Sequence, residues 1–223
     1  MSSPAKSKIY DELSRIGRAL GNRARLELLD VLAQGERSVE VLSHATGLSM
    51  ANASQHLRVL RQARLVEVRK EGLFVHYRLA SPEVFEVVTM IRRLGEQHIA
   101  EVDRILRSYF GRRDELEPVG RGELLQRAKV GDVIVLDVRP AEEYRAGHVP
   151  GAISVPVGQL EQRLADLPAD KEIVAYCRGP YCVMSYDAVE VLRARGRRAR
   201  RLVDGFPEWR AEGLPIDVGE GAS

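Results

Sequence analysis

The chain has 223 residues, enough for one large domain or two small ones, and 44% of them are hydrophobic and 30% charged. This composition is ordinary for a globular protein and argues against a mostly disordered or collagen-like chain. No run of about 18 apolar residues occurs, so we expect no membrane span, and the first residues lack the apolar core of a secretion signal, which makes the cytoplasm the expected compartment.

Charge is distributed unevenly along the chain. Residues 1–113 carry 19 Lys and Arg against 13 Asp and Glu, a net charge of +6, whereas the remaining residues carry 15 against 19, a net charge of −4. A basic half joined to an acidic half indicates a polyanion-binding module linked to a module of another kind. Both cysteines, Cys177 and Cys182, lie in the acidic half and are close enough to belong to one site.

The basic half begins with a series of predicted helices. Apolar residues at helical spacing predict helices at 9–20, 23–32, 38–44 and 50–62. Ser38 can cap the third helix, and Gly47 can take a left-handed conformation in the turn before the fourth. Helix, glycine turn and helix together form the helix-turn-helix pattern. The buried face of the fourth helix is expected to hold Ala53, Leu57 and Leu60.

A hairpin and a long helix are predicted to complete this half. Two strand-like runs, 65–70 and 73–79, are separated by Glu71-Gly72 and predict a β-hairpin, the wing of the motif. Pro82 can open a single helix that continues to about residue 110. At roughly 27 residues this helix is far longer than average, so we expect it to pack on a partner subunit.

Three segments resemble the arsenic-repressor (ArsR) family of winged-helix regulators over about residues 8–108. They are Leu-Gly-Asn-Arg-Ala-Arg-Leu at 20–26, Leu-Ser-Met-Ala-Asn-Ala-Ser-Gln-His-Leu-Arg-Val-Leu at 48–60, and the hairpin through Tyr77. The resemblance implies a homodimer built on the terminal helices. It also implies that the fourth helix enters the major groove of double-stranded DNA at a palindromic operator.

Side chains outside the buried face of that fourth helix are the candidate DNA contacts: Ser49, Asn52, Ser54, Gln55, His56 and Arg58. Asn52 and Gln55 are the candidates for base contact because amides can bond a base edge through two atoms. Ser49, Ser54 and Arg58 are expected to support them at phosphates. For His56, packing beneath its own helix is an equal alternative.

Arg69 and Lys70 at the hairpin tip fit a phosphate or minor-groove contact, with an ordinary charged turn as the alternative. Metal sites of the ArsR family do not match this chain. The third helix, where the family's thiolate site lies, contains no cysteine, and His98 with Glu101 supplies too few ligands for zinc. We therefore expect no metal and no cofactor, and any sensor should lie in the other half.

The polar segment 112–118 predicts a linker between a domain at 1–111 and a second domain at 119–223. Strand-like and helical stretches alternate in the second domain, with strands at 133–138, 173–176 and 200–203 and helices at 121–129, 158–167, 183–195 and 206–212. Such alternation predicts an α/β fold with a parallel sheet covered by helices on both faces. The fold class is therefore a mainly α winged helix-turn-helix followed by an α/β domain.

Cys177 follows the strand 173–176 directly and precedes a helix. Sites in parallel sheets form at this end of the strands, and a helix N-terminus can hold an anion and lower the pKa of a thiol. Arg178 adds a positive charge, and Gly179 with Pro180 favours a tight turn. The alternative is a buried, inert cysteine.

The second domain resembles a rhodanese domain over about residues 119–216. The resemblance lies in the segments 137–152 (Asp-Val-Arg-Pro to Pro-Gly-Ala), 176–182 (Tyr-Cys-Arg-Gly-Pro-Tyr-Cys) and 203–215 (Val-Asp-Gly-Phe-Pro to Gly-Leu-Pro). It implies that Cys177 is the nucleophile of a sulfurtransferase-like reaction and carries sulfur as a persulfide to a thiol or cyanide. The loop residues that would hold the persulfide or an anionic sulfur donor are Arg178, Gly179, Pro180, Tyr181, Cys182 and Val183. Other signature residues are expected to hold the fold together, namely Asp137, Arg139, His148 and Trp209.

The loop departs from the family in one position that matters for chemistry. Cys182 stands where sulfurtransferases of this type often have Arg or Lys, and Val183 stands where phosphatase relatives place Arg. We therefore expect weak thiosulfate turnover and no phosphatase activity. Cys182 can instead attack a Cys177 persulfide and give a disulfide or a sulfur-bridged pair, or it can be a small packed residue of the helix.

The leading hypothesis is a dimeric, cytoplasmic transcriptional regulator, a repressor, that responds to a small sulfur donor or persulfide. One alternative is a sulfurtransferase whose winged-helix domain serves dimerisation or targeting. A metal or arsenical sensor is a third reading, but two thiolates leave a soft metal under-coordinated.

Overall fold

The computed structural model describes residues 3–72, 74–111 and 118–219. The chain divides into two compact units, residues 1–95 and 96–223. The linker expected at 112–118 stays a prediction, because residues 112–117 lie outside the described ranges. Over those ranges, none of the helices combines the length and the apolar character that crossing a bilayer requires.

Helices and a small antiparallel sheet build the N-terminal unit. The helices that open it are α1 (Pro4–Leu20), α2 (Arg23–Leu32), α3 (Val39–Thr46) and α4 (Met50–Gln62). The side chain of Ser38 accepts a hydrogen bond from the Val41 N–H and caps α3, and Gly47 ends that helix with φ +66°. These four predicted helices and the glycine turn of the helix-turn-helix are confirmed.

The core of this unit lies between α2, α3 and α4. Leu28, Leu29 and Leu42 are buried there, packed against α4. The predicted inner face of α4 is confirmed, since Ala53, Leu57 and Leu60 are each 0% exposed.

The wing is a β-hairpin joined by a third short strand. Its strands are β1 (Arg37–Ser38), β2 (Val66–Glu71) and β3 (Phe74–Leu79), in the order β1-β3-β2. β2 and β3 pair antiparallel around Gly72, which has φ +59°, so the predicted hairpin is confirmed. The strand β1 was not predicted, because a strand of two residues carries no periodic signal. Leu73, which was predicted to begin the second strand of the hairpin, lies outside the described residues.

The single long helix predicted from Pro82 to about residue 110 is wrong. Two helices stand in its place, α5 (Pro82–His98) and α6 (Ala100–Tyr109), separated by Ile99 in an extended conformation. The break has an electrostatic reason. Glu101 and Asp103 occupy the first turn of α6, where acidic side chains favour a new helix N-terminus, and His98 ends α5.

The C-terminal unit adds an α/β fold to α6. Its elements are α7 (Arg121–Lys129), β4 (Val133–Asp137), α8 (Ala141–Ala146), β5 (Ile153–Ser154), β6 (Glu172–Tyr176), α9 (Val183–Ala194), β7 (Ala199–Arg201) and α10 (Phe206–Ala211). All strand pairs in the sheet are parallel, in the order β5-β4-β6-β7. The predicted fold class is therefore confirmed.

Side chains of the central strands alternate between the two faces of this sheet, and each face packs in its own hydrophobic core. Ile134 and Leu136 pack with the α9 residue Leu192, whereas Val133 and Val135 pack on the other side with the α10 residue Trp209. Successive side chains of a strand point to opposite faces, so a strand buried on both faces has no polar alternation. This is why helices cover both sides.

Two parts of the C-terminal unit differ from the prediction. The helix predicted at 158–167 is wrong, because only short 3-10 turns form there, at Val157–Gln159 and Leu164–Asp166. Gly158 lowers the helix propensity of this stretch, and Pro168 stands at its end. The helix α8 and the strand β5 were missed, since six and two residues are too short for a periodic pattern.

A buried ion pair closes the carboxyl end of β4 and β6. Asp137 and Arg139 are fully buried, and the Arg139 guanidinium donates to the Asp137 carboxylate at 2.5 Å and to the Gly147 carbonyl at 2.7 Å. The Tyr176 hydroxyl donates to the same carboxylate at 2.6 Å and accepts from the Val149 N–H at 3.1 Å. The expectation that the signature residues Asp137 and Arg139 hold the fold together is confirmed by this geometry.

The Tyr176 hydroxyl should therefore contribute measurably to stability. We expect Tyr176→Phe to lower the free energy of unfolding of the C-terminal unit by about 1–3 kcal/mol, because it leaves the buried Val149 N–H without a partner and removes one hydrogen bond from the buried Asp137 carboxylate. Denaturant unfolding followed by the fluorescence of Trp209, the one tryptophan of the chain and fully buried in this unit, measures it. Tyr181→Phe is the matched control, since that ring is 41% exposed. Equal unfolding midpoints for the two variants would contradict the assignment.

Candidate functional site

The loop between β6 and α9 holds both cysteines. Cys177 follows the last residue of β6, and its carbonyl accepts from the Phe206 N–H at 3.0 Å. The Cys182 N–H closes the loop by donating to the Gly179 carbonyl at 3.1 Å, and Val183 begins α9. The predicted strand, loop and helix arrangement around Cys177 is confirmed.

Gly205 lets the backbone of the loop approach the turn before α10. A Cβ atom at this position would lie 2.5 Å from the Arg178 carbonyl carbon, 2.6 Å from the Cys177 oxygen and closer still to the Gly179 nitrogen. No larger residue fits without moving the loop backbone. The sequence placed Gly205 in a rhodanese signature, but its contact with the cysteine loop was not predicted.

The Cys177 thiol is enclosed, and its pKa is raised. The residue is 1% exposed, and its sulfur donates toward the Ser185 hydroxyl at 3.4 Å and the Cys182 carbonyl at 3.6 Å. Burial raises the pKa of Cys177 well above its ordinary value, and a thiolate on Cys182 raises it further. The expectation that the loop lowers the pKa of this thiol is wrong, because burial outweighs the lowering effect of the Gly179 backbone and the Ser185 hydroxyl.

Cys182 is the N-cap of α9, and its side chain makes no capping hydrogen bond. Its proximity to the Cys177 thiol, to the backbone N–H groups of Arg178 and Met184 and to the Arg178 charge lowers the pKa of Cys182 to about 7. Cys182 is also the more accessible thiol, being only partly buried.

Arg178 does not offer a free positive charge to the loop. Its guanidinium donates to the Glu143 carboxylate at 2.6 and 3.0 Å, and the Glu143 side chain is 3% exposed. The ion pair ties the loop to α8 and offsets the Arg178 charge locally. Glu143 was missed as a site residue, although it stands in the rhodanese-like segment 137–152 and could have been found as an acidic partner for the loop arginine.

The outer edge of the loop is aromatic. Tyr181 stacks on Phe110, with ring centroids 6.4 Å apart, and its hydroxyl donates to the Glu96 carboxylate at 2.5 Å. Phe110 also packs against Tyr186 of α9 at 5.1 Å. Pro180 and Val183, the other predicted loop residues, are half-buried on either side.

On α4 the predicted DNA contacts divide by exposure. Asn52, Gln55 and Arg58 are exposed, whereas Ser54 and His56 are partly buried. Ser49 is the N-cap, and its hydroxyl accepts from the Asn52 N–H at 3.3 Å, so it supports the start of the helix. The roles of these residues at DNA stay predictions.

On the wing, both predicted basic residues are exposed, but they differ in their partners. Arg69 donates to the Glu36 carboxylate at 2.5 Å and to the Glu71 carboxylate at 2.9 Å. Lys70 lies beside it in β2, opposite Val75 of β3. A phosphate contact by Arg69 therefore has to compete with two carboxylates, and this role also stays a prediction.

Alkylation should distinguish the two thiols by pH. We expect the rate at Cys182 to follow thiolate formation with a midpoint near 7 and to fall about tenfold per pH unit below it, because only the thiolate reacts. Cys177→Ala should move this midpoint upward, since it removes the hydrogen bond that lowers the pKa of Cys182 most. Iodoacetamide rates measured by peptide mapping from pH 5 to 10 provide the test, with Ser154→Ala as a control outside the loop. An unchanged midpoint in Cys177→Ala would count against the hydrogen bond.

Comparison with known proteins agrees with this geometry. Residues 22–68 match the model of the bacterial regulatory protein arsR family, and residues 121–212 match that of the rhodanese-like domain. An HTH-type transcriptional regulator of Mycobacterium tuberculosis, Rv0324, is 45% identical over 97% of this chain and 95% of its own length. A sulfurtransferase of Allochromatium vinosum is 34% identical over 42% of this chain and 87% of its own.

One solved structure is similar to the first part of the chain. It is the homodimeric winged helix-turn-helix DNA-binding domain (fragment 1–100) of Mb0332 from Mycobacterium bovis, 38% identical over 44% of this chain and 92% of its own, with a TM-score of 0.42. The full-length similarity and the two family matches lead to one conclusion. This chain belongs to the arsR family of bacterial regulatory proteins, with a rhodanese-like domain after its winged helix-turn-helix.

Proposed function

We propose that the protein is a homodimeric transcriptional repressor that binds a palindromic DNA operator and responds to reactive sulfur through the thiols of its rhodanese-like domain. Cys177 carries sulfur as a persulfide, and Cys182 takes part in the same chemistry. The donor is a small persulfide or polysulfide. Binding to chromosomal DNA makes the cytoplasm the place of action.

The observation that carries this proposal is the position of the thiols. The chain has two cysteines, and both lie in the loop between β6 and α9, with none in the DNA-binding half. The Cys177 sulfur lies 3.6 Å from the Cys182 carbonyl oxygen, and Cys182 is the N-cap of α9, where a helix N-terminus favours a charged sulfur. A regulator of this family with its thiols concentrated there has the means to detect sulfur at that site.

The surface of the N-terminal unit supports DNA binding. α4 begins after the glycine turn and presents Asn52, Gln55 and Arg58 to solvent. Amide side chains can bond base edges, and Arg58 can bond phosphate. The net charge of +6 over residues 1–113 favours a polyanion.

Exposed apolar stripes on α1 and α5 support dimerisation. They consist of Ile9, Tyr10, Leu13 and Ile16 on α1, and of Val87, Met90, Ile91 and Leu94 on α5. Leu13 is 54% exposed and Met90 52%, an arrangement that is costly in water for side chains at helical spacing. A second copy of the chain that covers these stripes removes this cost.

Tyr181 connects the cysteine loop to the helical segments at the start of the C-terminal unit. This residue adjoins Cys182, stacks on Phe110 at the end of α6, and bonds Glu96, the first residue of that unit and a member of α5. Modification of Cys182 moves or reorients its neighbour in the chain. The proposed response is a shift of these aromatic and hydrogen-bond contacts, which changes the dimer geometry and with it the affinity for DNA.

Treatment with polysulfide should release the protein from DNA. With an operator selected from random-sequence DNA by the reduced protein, we expect polysulfide to raise the Kd by about 5–150-fold, the range of ordinary coupling free energies. Cys177→Ser should bind as the reduced parent does, with or without polysulfide. Fluorescence anisotropy together with intact mass records both properties.

Two outcomes would overturn this mechanism. One is a Cys177→Ser protein that polysulfide releases from DNA as it releases the parent. The other is fast multiple turnover of thiosulfate or glutathione persulfide with no effect on the Kd, which would favour a sulfurtransferase whose winged-helix domain serves dimerisation or targeting.

Base recognition by α4 has its own test. We expect Asn52→Ala and Gln55→Ala each to weaken operator binding by about 1–3 kcal/mol, and to relax the sequence preference at one position of each half-site. Gln62→Ala, an exposed amide on the last turn of the same helix, is the matched control and should change the Kd little. Equal losses on operator and on random DNA would show that the two amides do not read bases.

A further inference from the structure

We propose that Glu143 determines which sulfur donors the cysteine loop accepts. Its carboxylate cancels the charge of Arg178, so that the loop takes sulfur from hydropersulfides, R–S–SH, and discriminates against the thiosulfate dianion. The inference rests on the proposed transfer of sulfur to Cys177 and names the donor class of that site. Weak thiosulfate turnover was expected from Cys182 alone, and Glu143 is a second cause, which acts by holding the loop arginine.

The Glu143 carboxylate binds two nitrogens of the Arg178 guanidinium. The guanidinium Nε donates to Oε1 at 3.0 Å and to Oε2 at 3.1 Å, and a terminal nitrogen, Nη2, donates to Oε1 at 2.6 Å. A carboxylate and a guanidinium that meet through two nitrogens are held in a fixed relative orientation. The positive charge of Arg178 is therefore bound at α8.

Burial makes this ion pair persistent. The Glu143 side chain is 3% exposed and the Arg178 side chain 26%. If Arg178 turned toward an anion from solvent, the Glu143 carboxylate would stay buried without these hydrogen bonds, which is strongly unfavourable. An anionic donor therefore has to compete with a carboxylate that is already desolvated and bonded.

The sequence of the loop and of most of the following helix offers no second cation. Residues 177–182 contain one basic residue, Arg178, and residues 183–192 contain none but include two acidic residues. What remains for an anion is the N-terminus of α9, equivalent to roughly half an elementary charge. This partial charge matches a single charge that develops on a sulfur better than it matches a dianion.

Both donors can transfer one sulfur atom to the Cys177 thiol. The hydropersulfide reaction is Cys177–SH + R–S–SH giving Cys177–S–SH + R–SH, and the thiosulfate reaction is Cys177–SH + S₂O₃²⁻ giving Cys177–S–SH + SO₃²⁻. In each, a bond forms between the Cys177 Sγ and the outer sulfur of the donor, and the S–S bond of the donor breaks. The leaving group keeps the electron pair of that bond. The thiol proton passes to the leaving thiolate in the first reaction and to the transferred sulfur in the second, and neither reaction needs an oxidant or a reductant.

The two reactions differ in the charge that they bring to the loop. Thiosulfate and the departing sulfite are both dianions, whereas R–S–SH and R–SH can enter and leave uncharged. Residues 114–223 carry a net charge of −4, so a dianion gains no attraction from the unit as a whole. An uncancelled Arg178 would attract it strongly enough to change the rate by about tenfold or more.

Sulfur loading of the reduced full-length protein tests the donor class. The protein is mixed with excess thiosulfate or with the uncharged donor hydroxyethyl hydropersulfide, and the gain of one sulfur atom is followed by intact mass. Uptake that persists in Cys177→Ser is subtracted. Because the donors differ in intrinsic reactivity, the quantity compared is the ratio of the thiosulfate rate to the hydropersulfide rate. We expect Glu143→Gln to raise this ratio by about tenfold or more, since a neutral amide leaves the Arg178 charge uncancelled.

Two further variants separate the effect of charge from a loss of structure. Glu142→Gln makes the same change in charge at the exposed neighbouring residue and should leave the ratio unchanged. The double variant Glu143→Gln/Arg178→Gln should return the ratio to the parent's, because the cation that attracts thiosulfate is then missing. A loosened loop would keep the gain in both Glu143 variants. An unchanged ratio in Glu143→Gln, or a gain that persists without Arg178, would overturn the proposal.

The parent protein provides a second measurement, which decides the question even if the Glu143 variants do not fold. Salt screens the interaction between charges. Thiosulfate loading of the parent should therefore stay constant or rise with ionic strength, because the loop offers the dianion no net attraction. Thiosulfate loading that falls with ionic strength, while hydropersulfide loading stays constant, would show an uncancelled cation at the site and overturn the proposal.

Operator binding measured on the same samples separates this inference from the proposed function. If Glu143→Gln gains thiosulfate loading at Cys177 while loading leaves the Kd unchanged, the donor assignment stands and the regulatory proposal fails. If hydropersulfide releases the DNA through Cys177 but Glu143→Gln keeps the parent's ratio, the regulatory proposal stands and the donor assignment is overturned. If neither donor loads Cys177 in any of these proteins, both are overturned.

Discussion

The buried pair of Asp137 and Arg139 is the interaction on which the geometry of the C-terminal unit depends. Two buried charges are stable only when hydrogen bonds satisfy them fully, and here Tyr176, the Gly147 carbonyl and the Arg139 N–H share that task. The Arg139 guanidinium also lies over the Phe206 ring at 4.3 Å. One ion pair thus joins β4, β6, the turn after α8 and the start of α10. The cysteine loop begins at the residue after Tyr176, so this network fixes the position at which the loop starts.

Within that frame, the two thiols differ mainly in burial. Both residues lie near the start of α9, where the helix dipole favours a negative charge. Cys182 is the partly exposed N-cap of that helix, whereas Cys177 is buried and faces the Ser185 hydroxyl. The Arg178 guanidinium beside the loop is paired with the Glu143 carboxylate, which partly offsets its charge. The loop therefore suits a sulfur that belongs to the protein better than a strongly anionic ligand from solvent.

The sequence predicted the parts of the molecule whose physical cause is local. Glycine at position 47, a capping serine at 38 and the apolar face of α4 each act within a few residues, and each is present as expected. The position of Cys177 after a strand followed from the same kind of pattern. What failed depended on contacts between distant segments: Glu143 reaches the loop from α8, and burial beneath the loop raises the pKa of Cys177. The helix break at Ile99 is an intermediate case. Its cause is local, because the acidic residues Glu101 and Asp103 follow it in the sequence, yet the break was not predicted from them.

Gly47 and Gly205 are required for two unrelated physical reasons, which the sequence alone does not distinguish. Gly47 has φ +66° and open space around it, so its constraint is backbone angle, and an asparagine could meet it. Gly205 has φ −115°, which any residue can adopt, and its constraint is volume, because the cysteine loop occupies the place of a side chain. Whether a substitution is tolerated therefore depends on the backbone φ angle at Gly47 and on side-chain volume at Gly205. A side chain at Gly205, a residue far from the thiols in sequence, would therefore collide with the backbone of the loop that holds them.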